Sequence, residues 1–204
     1  MALIDREAAL LILGKHLPAF YRAVMGAWDD YRSYPDEKRL IHSDRSRASL
    51  MHDHMVDRAS KYAVVEREVQ IVKRQGLYLF VFGAQIAIRY KKFDEDLKTS
   101  NQPSKQVREF KNQQQLPGVP AAHNLESGYI LSKDAQSVQA VHLVCPSGER
   151  SVSWDVLLTD SAQETVIANL FEQKIDNEET DPGARVRRRE QAKIIRLVKD
   201  DNQG

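Results

Sequence analysis

The chain has 204 residues, 42% of them hydrophobic, and 30 Lys and Arg against 29 Asp and Glu leave a net charge of +1. That length gives one ordinary domain, or one domain with an appendage, with enough apolar content for a core that needs no disulfide or metal staple. The balance excludes a whole-chain field of the kind that drives dedicated nucleic-acid or membrane-surface binders, but it conceals a segregation: residues 184–204 carry seven basic and three acidic side chains, so the body is acidic and the end basic.

Asp5 can cap a helix through Ala8, Ala9, Ile12 and His16, which Pro18 cannot continue because it lacks an N–H and crowds the preceding turn. A second helix is predicted to about Tyr31. Its residues Leu17, Tyr21, Val24, Trp28 and Tyr31 recur at spacings of 4, 3, 4 and 3 and make one apolar stripe. The aromatics Tyr21, Trp28 and Tyr31 suit either this chain's own core or the surface of a partner, and they are partner-binding candidates. Residues 32–43, polar and containing Pro35, read as a connection. A further helix over Asp44 to Ala63 places Ala48, Met51, Met55, Ala59 and Tyr62 on one face.

From Val69 the period changes. Leu77 to Phe82, Gly83, and Gln85 to Tyr90 read as a β-hairpin with Gly83 supplying a positive φ. Ile86, Ile88 and Tyr90 share one face of the second strand, and Ala87, Arg89 and Lys91 the other. The first strand is apolar on both faces and is expected to be central. A short polar helix is predicted from Pro103 to near Gln114, ended by Leu116-Pro117-Gly118-Val119-Pro120. A meander follows, with strands at about Gly128 to Leu131, Val138 to Cys145 and Ser151 to Leu157. Ser161-Ala162-Gln163-Glu164 has the form of a capping box before an apolar helix ending near Phe171, and Asn177 to Gly183 is a linker. The expectation is therefore an α+β fold: N-terminal helices packed on a largely antiparallel sheet, a hairpin plus a three-stranded meander. Residues 1–174 form the domain; residues 175–204 are a charged linker and basic tail.

The lone cysteine, Cys145, excludes an internal disulfide framework and reads as a buried thiol in an apolar strand. The N-terminal residues lack the basic region and cleavage site of a signal peptide, and no stretch approaches the length of a membrane span. A cytoplasmic, membrane-free protein is expected.

Among chemical constellations, His52-Asp53-His54 with Asp57 contains metal-ligand residue types at the wrong spacing, since residues two apart on a helix diverge by about 200°. Asp96-x-Lys98, preceded by Asp94, matches the acid-x-lysine half-motif of PD-(D/E)xK nucleases, in which acids hold a divalent metal and the lysine positions water. The acid that such a site needs on the preceding strand is missing between Leu77 and Tyr90. Asp94, Asp96 and Lys98, with Mg²⁺ or Mn²⁺, are thus catalytic candidates only under a nuclease alternative; otherwise no catalytic residue, metal or cofactor is indicated. His142, alternating with apolar neighbours, reads as a half-buried strand histidine. The tail residues Arg187, Arg188, Arg189, Lys193 and Arg196 can bind an acidic protein groove or nucleic-acid phosphates, or remain solvated.

The segment from Arg89-Tyr90-Lys91-Lys92-Phe93-Asp94-Glu95-Asp96-Leu97 through Asn101-Gln102-Pro103-Ser104 and Leu116-Pro117-Gly118-Val119-Pro120 to Gly128-Tyr129 resembles uncharacterised bacterial proteins. Those are found beside helix-turn-helix and metallopeptidase-like genes in toxin–antitoxin or phage-defence operons. The resemblance covers Leu77 to Trp154, carries no catalytic motif, and implies a protein partner. It leads to a non-enzymatic interaction protein of antitoxin or defence-accessory type, with metal-dependent nuclease and tail-mediated nucleic-acid binding as alternatives.

Overall fold

A computed structural model describes residues 3–74, 76–100, 104–120 and 122–160, all within the unit Met1–Gln163. The expected helix after Ser161, the linker and the basic tail lie outside the described residues, and with them Arg187, Arg188, Arg189, Lys193 and Arg196. The described part is α+β: four N-terminal helices, one later helix, and a six-stranded sheet.

Asp5 caps α1 (Arg6–Leu13) by accepting the Glu7 and Ala8 amides. The chain tightens into a 3-10 turn over Gly14–His16 and restarts as α2 (Leu17–Arg32), with Pro18 in the first turn, where its missing N–H costs nothing. The polar connection contains a short α3 (Asp36–Leu40) that periodicity did not reveal, since none of its residues is buried. Ser43 caps α4 (Asp44–Val65) through the Ser46 amide, and Met51, Met55 and Ala59 form its buried stripe.

The strands are β1 (Val69–Arg74), β2 (Leu77–Phe82), β3 (Ile86–Lys92), β4 (His123–Leu131), β5 (Val138–Pro146) and β6 (Val152–Leu157), in sequential order across the sheet. Every neighbouring pair is antiparallel except β3–β4, which are parallel and joined through α5 (Lys105–Lys111). The expected hairpin is β2–β3, with Gly83 at φ 55°, and the expected meander is β4–β6. β1 was not foreseen as a strand: it lies at the edge of the sheet, and only Val69 in it is fully buried.

Two layers of helix and loop sandwich the central strands, as a parallel pair requires. On one face Phe82 stacks edge-on against Phe20 of α2, ring centroids 5.2 Å apart, and Ile86, Ile88 and Tyr90 are buried. On the other, Leu79, Val81 and Ala87 pack with Phe110 of α5 and with Leu116, Val119 and Ala122. The alternation foreseen for β3 sorts these faces.

The second face also holds an ion pair. Arg89 and Glu126 are register partners across β3–β4, 1% and 2% exposed. Arg89 Nε donates to Glu126 Oε1 at 2.8 Å, and the guanidinium carbon lies 4.2 Å from the Phe110 ring centroid. Gln113 secures the same layer: its side-chain amide donates to the carbonyls of Asn124 and Pro146 and accepts the Asn124 amide.

Candidate functional site

A half-open cleft of about 850 Å³ lies at the C-terminal ends of β3 and β4. The N-terminal half of α4 forms one wall, and the loop after β3 and the β4–β5 turn complete it. The parallel pairing creates this space: both strands end on the same side with no hairpin bridging them.

Its lining is charged. Arg45 and Arg47 come from α4, Lys91 and Lys92 from the end of β3, and Lys133 from the β4–β5 turn; Asp44, Asp53, Asp94 and Glu95 oppose them. Two of these carboxylates are engaged within the fold. Asp44 pairs with Arg47, which also reaches the Ala135 carbonyl at 3.5 Å. Asp94 Oδ1 accepts the backbone amides of Asp96 and Lys98 at 3.0 and 2.8 Å, closing a tight turn. By contrast, no hydrogen bond or ion pair joins the side chains of Arg45, Lys91, Lys92 or Lys133 to another described residue. Burial lowers the Lys91 ammonium to about 8, with the neighbouring Arg89 acting in the same direction. His52, facing the same cleft, is also lowered, first by burial and then by Lys91.

Of the nuclease candidates only Asp94 lines this cleft, and the three side chains do not converge. Asp94 is turned onto backbone amides, while Asp96 and Lys98 pair with each other at 2.9 Å on an exposed loop. Among the described residues no three His, Cys, Asp or Glu side chains gather as a metal site.

The histidine cluster separates as its spacing foresaw: His52 borders the cleft, whereas His54 hydrogen-bonds with the Tyr34 hydroxyl at 3.0 Å, beside the Asp30–Arg58 pair. His142 is half-buried and donates from Nδ1 to Asp155 at 2.9 Å. Cys145 is fully buried, and burial pushes its thiol up to about 12, leaving it protonated at neutral pH.

The aromatic stripe requires a correction. Trp28 and Tyr31 are only 5% and 3% exposed, their rings packed 5.7 Å apart inside this chain's own helical layer, so they present no surface to a partner. The reason is that α2 and α4 pack against each other and both against the sheet, α2 over β4 and β5 and α4 over β1 to β3, so the apolar stripe of α2 has internal neighbours. Tyr21 alone among the three remains half-buried.

The cleft itself was missed in the sequence. Arg45 and Arg47 and the turn lysine Lys133 are separated from Lys91-Lys92 by some 40 residues on either side, and only the packing of α4 on the sheet and the parallel β3–β4 pairing bring them together. No described helix is long and apolar enough to cross a membrane. Comparison with protein-family models, curated proteins and solved structures finds no match to this chain.

Proposed function

We infer that this protein acts by non-covalent recognition, as a non-enzymatic interaction protein of the antitoxin or defence-accessory type, in the cytoplasm. The cleft carries this reading: a half-open trough of about 850 Å³, lined by cations the fold leaves unpaired, suits an anionic group held at the contact with a protein partner. Charges not consumed internally steer association and select partners more than they stabilise the fold.

The test is affinity capture from the native host, quantified by mass spectrometry, with the wild-type chain, with Arg45→Glu/Lys92→Glu, and with Lys105→Glu as a distant control. One protein recovered in near-stoichiometric amount, lost with the double reversal and retained with the control, is the expected result. If no protein shows that pattern, the reading fails. Deleting residues 182–204 measures the tail's share, and unchanged affinity removes the tail from the interface.

The alternatives have their own tests. A nuclease built on Asp94, Asp96 and Lys98 must degrade DNA or RNA with Mg²⁺ or Mn²⁺ and lose that activity in Asp94→Asn. Nucleic-acid binding through the tail must weaken steeply with salt, as counterion release demands.

A further inference from the structure

The register of β3 against β4 treats two neighbouring basic residues very differently. Arg89 and Lys91 project to the same face, two positions apart. Arg89 meets Glu126 across the strand; Lys91 meets Gly128, which has no side chain to offer. Nor can another residue stand there, because a Cβ at Gly128 would lie 1.8 Å from the Lys91 carbonyl oxygen. The backbone approach that seats the end of β3 thus also removes the cross-strand place for a counter-charge to Lys91, leaving it only the attraction of Glu126, which is already paired with Arg89.

The remaining cations follow the same pattern. Lys92, Arg45 and Lys133 reach the cleft from three separate elements, each without an ion-pair partner among the described residues. Arg47 is held by Asp44 and the Ala135 carbonyl, and its Nε is buried without a partner. The first turn of α4 borders the cleft as well, and its positive end favours an anion. Of the lining carboxylates Asp44 pairs with Arg47, Asp94 keeps its charge while accepting backbone amides, and Asp53 and Glu95 are exposed, against five cations of which four have no ion-pair partner among the described residues. A single carboxylate would satisfy one of those cations. A phosphoryl group, with up to two charges and three acceptor oxygens, can engage several at once.

We propose that the cleft at the ends of β3 and β4 is a phosphoryl-binding site, with Lys91, Lys92 and Arg45 as its principal contacts and Lys133 and the α4 N-terminus completing it. This rests on the cleft being a binding site and not on the identity of a protein partner. The ligand is a free polyphosphate or the phosphate ester of a nucleotide.

The test is isothermal titration calorimetry on the full chain with pyrophosphate and with ATP, both free of divalent metal. Saturable binding of at least one is expected, weakened tenfold or more in Lys91→Gln/Lys92→Gln and unchanged in Lys105→Gln, which lies on α5 outside the cleft. Because Lys91 is half-buried, Arg45→Gln/Lys133→Gln provides a second variant at exposed positions, expected to lose at least threefold while keeping the wild-type circular dichroism spectrum. ATP binding more tightly than pyrophosphate assigns the site to a nucleotide ester; equal affinities assign it to phosphate alone. The proposal is overturned if neither probe saturates, if both double variants bind like wild type, or if an octaglutamate peptide displaces pyrophosphate at equal concentration. Binding of a single-stranded oligonucleotide tenfold tighter than either probe also overturns it, since the cleft is then part of a longer backbone track. A chain that binds no phosphate yet loses its protein partner on Arg45→Glu/Lys92→Glu sinks this inference alone.

Discussion

Removing Glu126 should be the most damaging single change in the sheet, and more damaging than removing its partner. Arg89 and Glu126 are 1% and 2% exposed, so either charge left alone is stranded beyond the reach of water. Breaking such a buried pair from one side costs about 3–5 kcal/mol. The two sides are unequal because Glu126 also attracts Lys91 and Lys111, raising the pKa of both against the lowering effect of burial. Arg89→Met leaves the carboxylate with those two ammonium groups nearby and should fall near about 3 kcal/mol, the lower end. Glu126→Gln leaves three cations facing one another around a neutral amide and should approach about 5 kcal/mol. Arg89→Met/Glu126→Leu exchanges the pair for apolar volume beneath Phe110 and should lie within about 1 kcal/mol of wild type, or above it. Urea unfolding followed by tryptophan fluorescence measures all four chains, since Trp28 is buried in α2 and Trp154 lies on β6. The reasoning is refuted if Glu126→Gln stays within about 1 kcal/mol of wild type, or if Arg89→Met proves the less stable of the two singles.

Gly128→Ala should cost about 3 kcal/mol through the clash with the Lys91 carbonyl and should weaken the cleft at the same time; a denaturation midpoint unchanged from wild type contradicts the close approach. The Lys91 ammonium titrates near pH 8 when folded, against 10.5 ordinarily, so between those values the unfolded chain binds a proton that the folded chain does not. Stability attributable to this group therefore rises with pH across that window, and Lys91→Met should flatten the rise while gaining about 1 kcal/mol at pH 7, after allowance for its partial exposure. Comparing urea midpoints at pH 7 and 9.5 checks the sign, and an unaltered pH slope in the variant refutes it. Asp94→Ala removes the acceptor for two backbone amides and should cost about 1–2 kcal/mol, whereas Asp94→Asn keeps an oxygen there and should cost well under half as much; equal losses in thermal or urea unfolding would show that the turn does not depend on that oxygen.

Local chemistry made much of the fold legible. Asp5, Gly83 and the stripe Met51, Met55, Ala59 act through contacts within a few residues, and each appears where its spacing placed it. The α+β class and the largely antiparallel sheet follow from the same local signals. What was illegible depends on distant pairing. β1 alternates too weakly to declare itself because its only fully buried residue is Val69 and its neighbour β2 is apolar on both sides in any case. Trp28 and Tyr31 make the same stripe whether the surface they meet belongs to this chain or another; periodicity names the face and not its neighbour. The ion pair could not be read at all, since Arg89 and Glu126 are 37 residues apart and meet only through the parallel register.

That register also explains why the cleft holds unpaired charge while the layer beside it does not. An antiparallel turn from β3 into β4 would close the strand ends with a hairpin and carry the chain straight across them. The crossover through α5 instead returns the chain to the opposite end of the sheet, so β4 starts at His123 beside Ile86 and runs out alongside Lys92. Midway along, where α5 covers the sheet, a charge is tolerable only with a partner, and Glu126 supplies it for Arg89. At the open end the cover thins: Arg45 and Lys133 are exposed to water, while Lys91 and Lys92 are half-buried with no ion-pair partner among the described residues, and burial lowers Lys91. Lys91, Lys92, Arg45 and Lys133 are gathered there from three elements without ion pairs among the described residues, and their mutual repulsion is offset only in part by Asp53, Asp94 and Glu95 and by water. A polyanionic ligand turns that repulsion into a binding free energy, which is why the cations of the cleft are better read as a site than as surface.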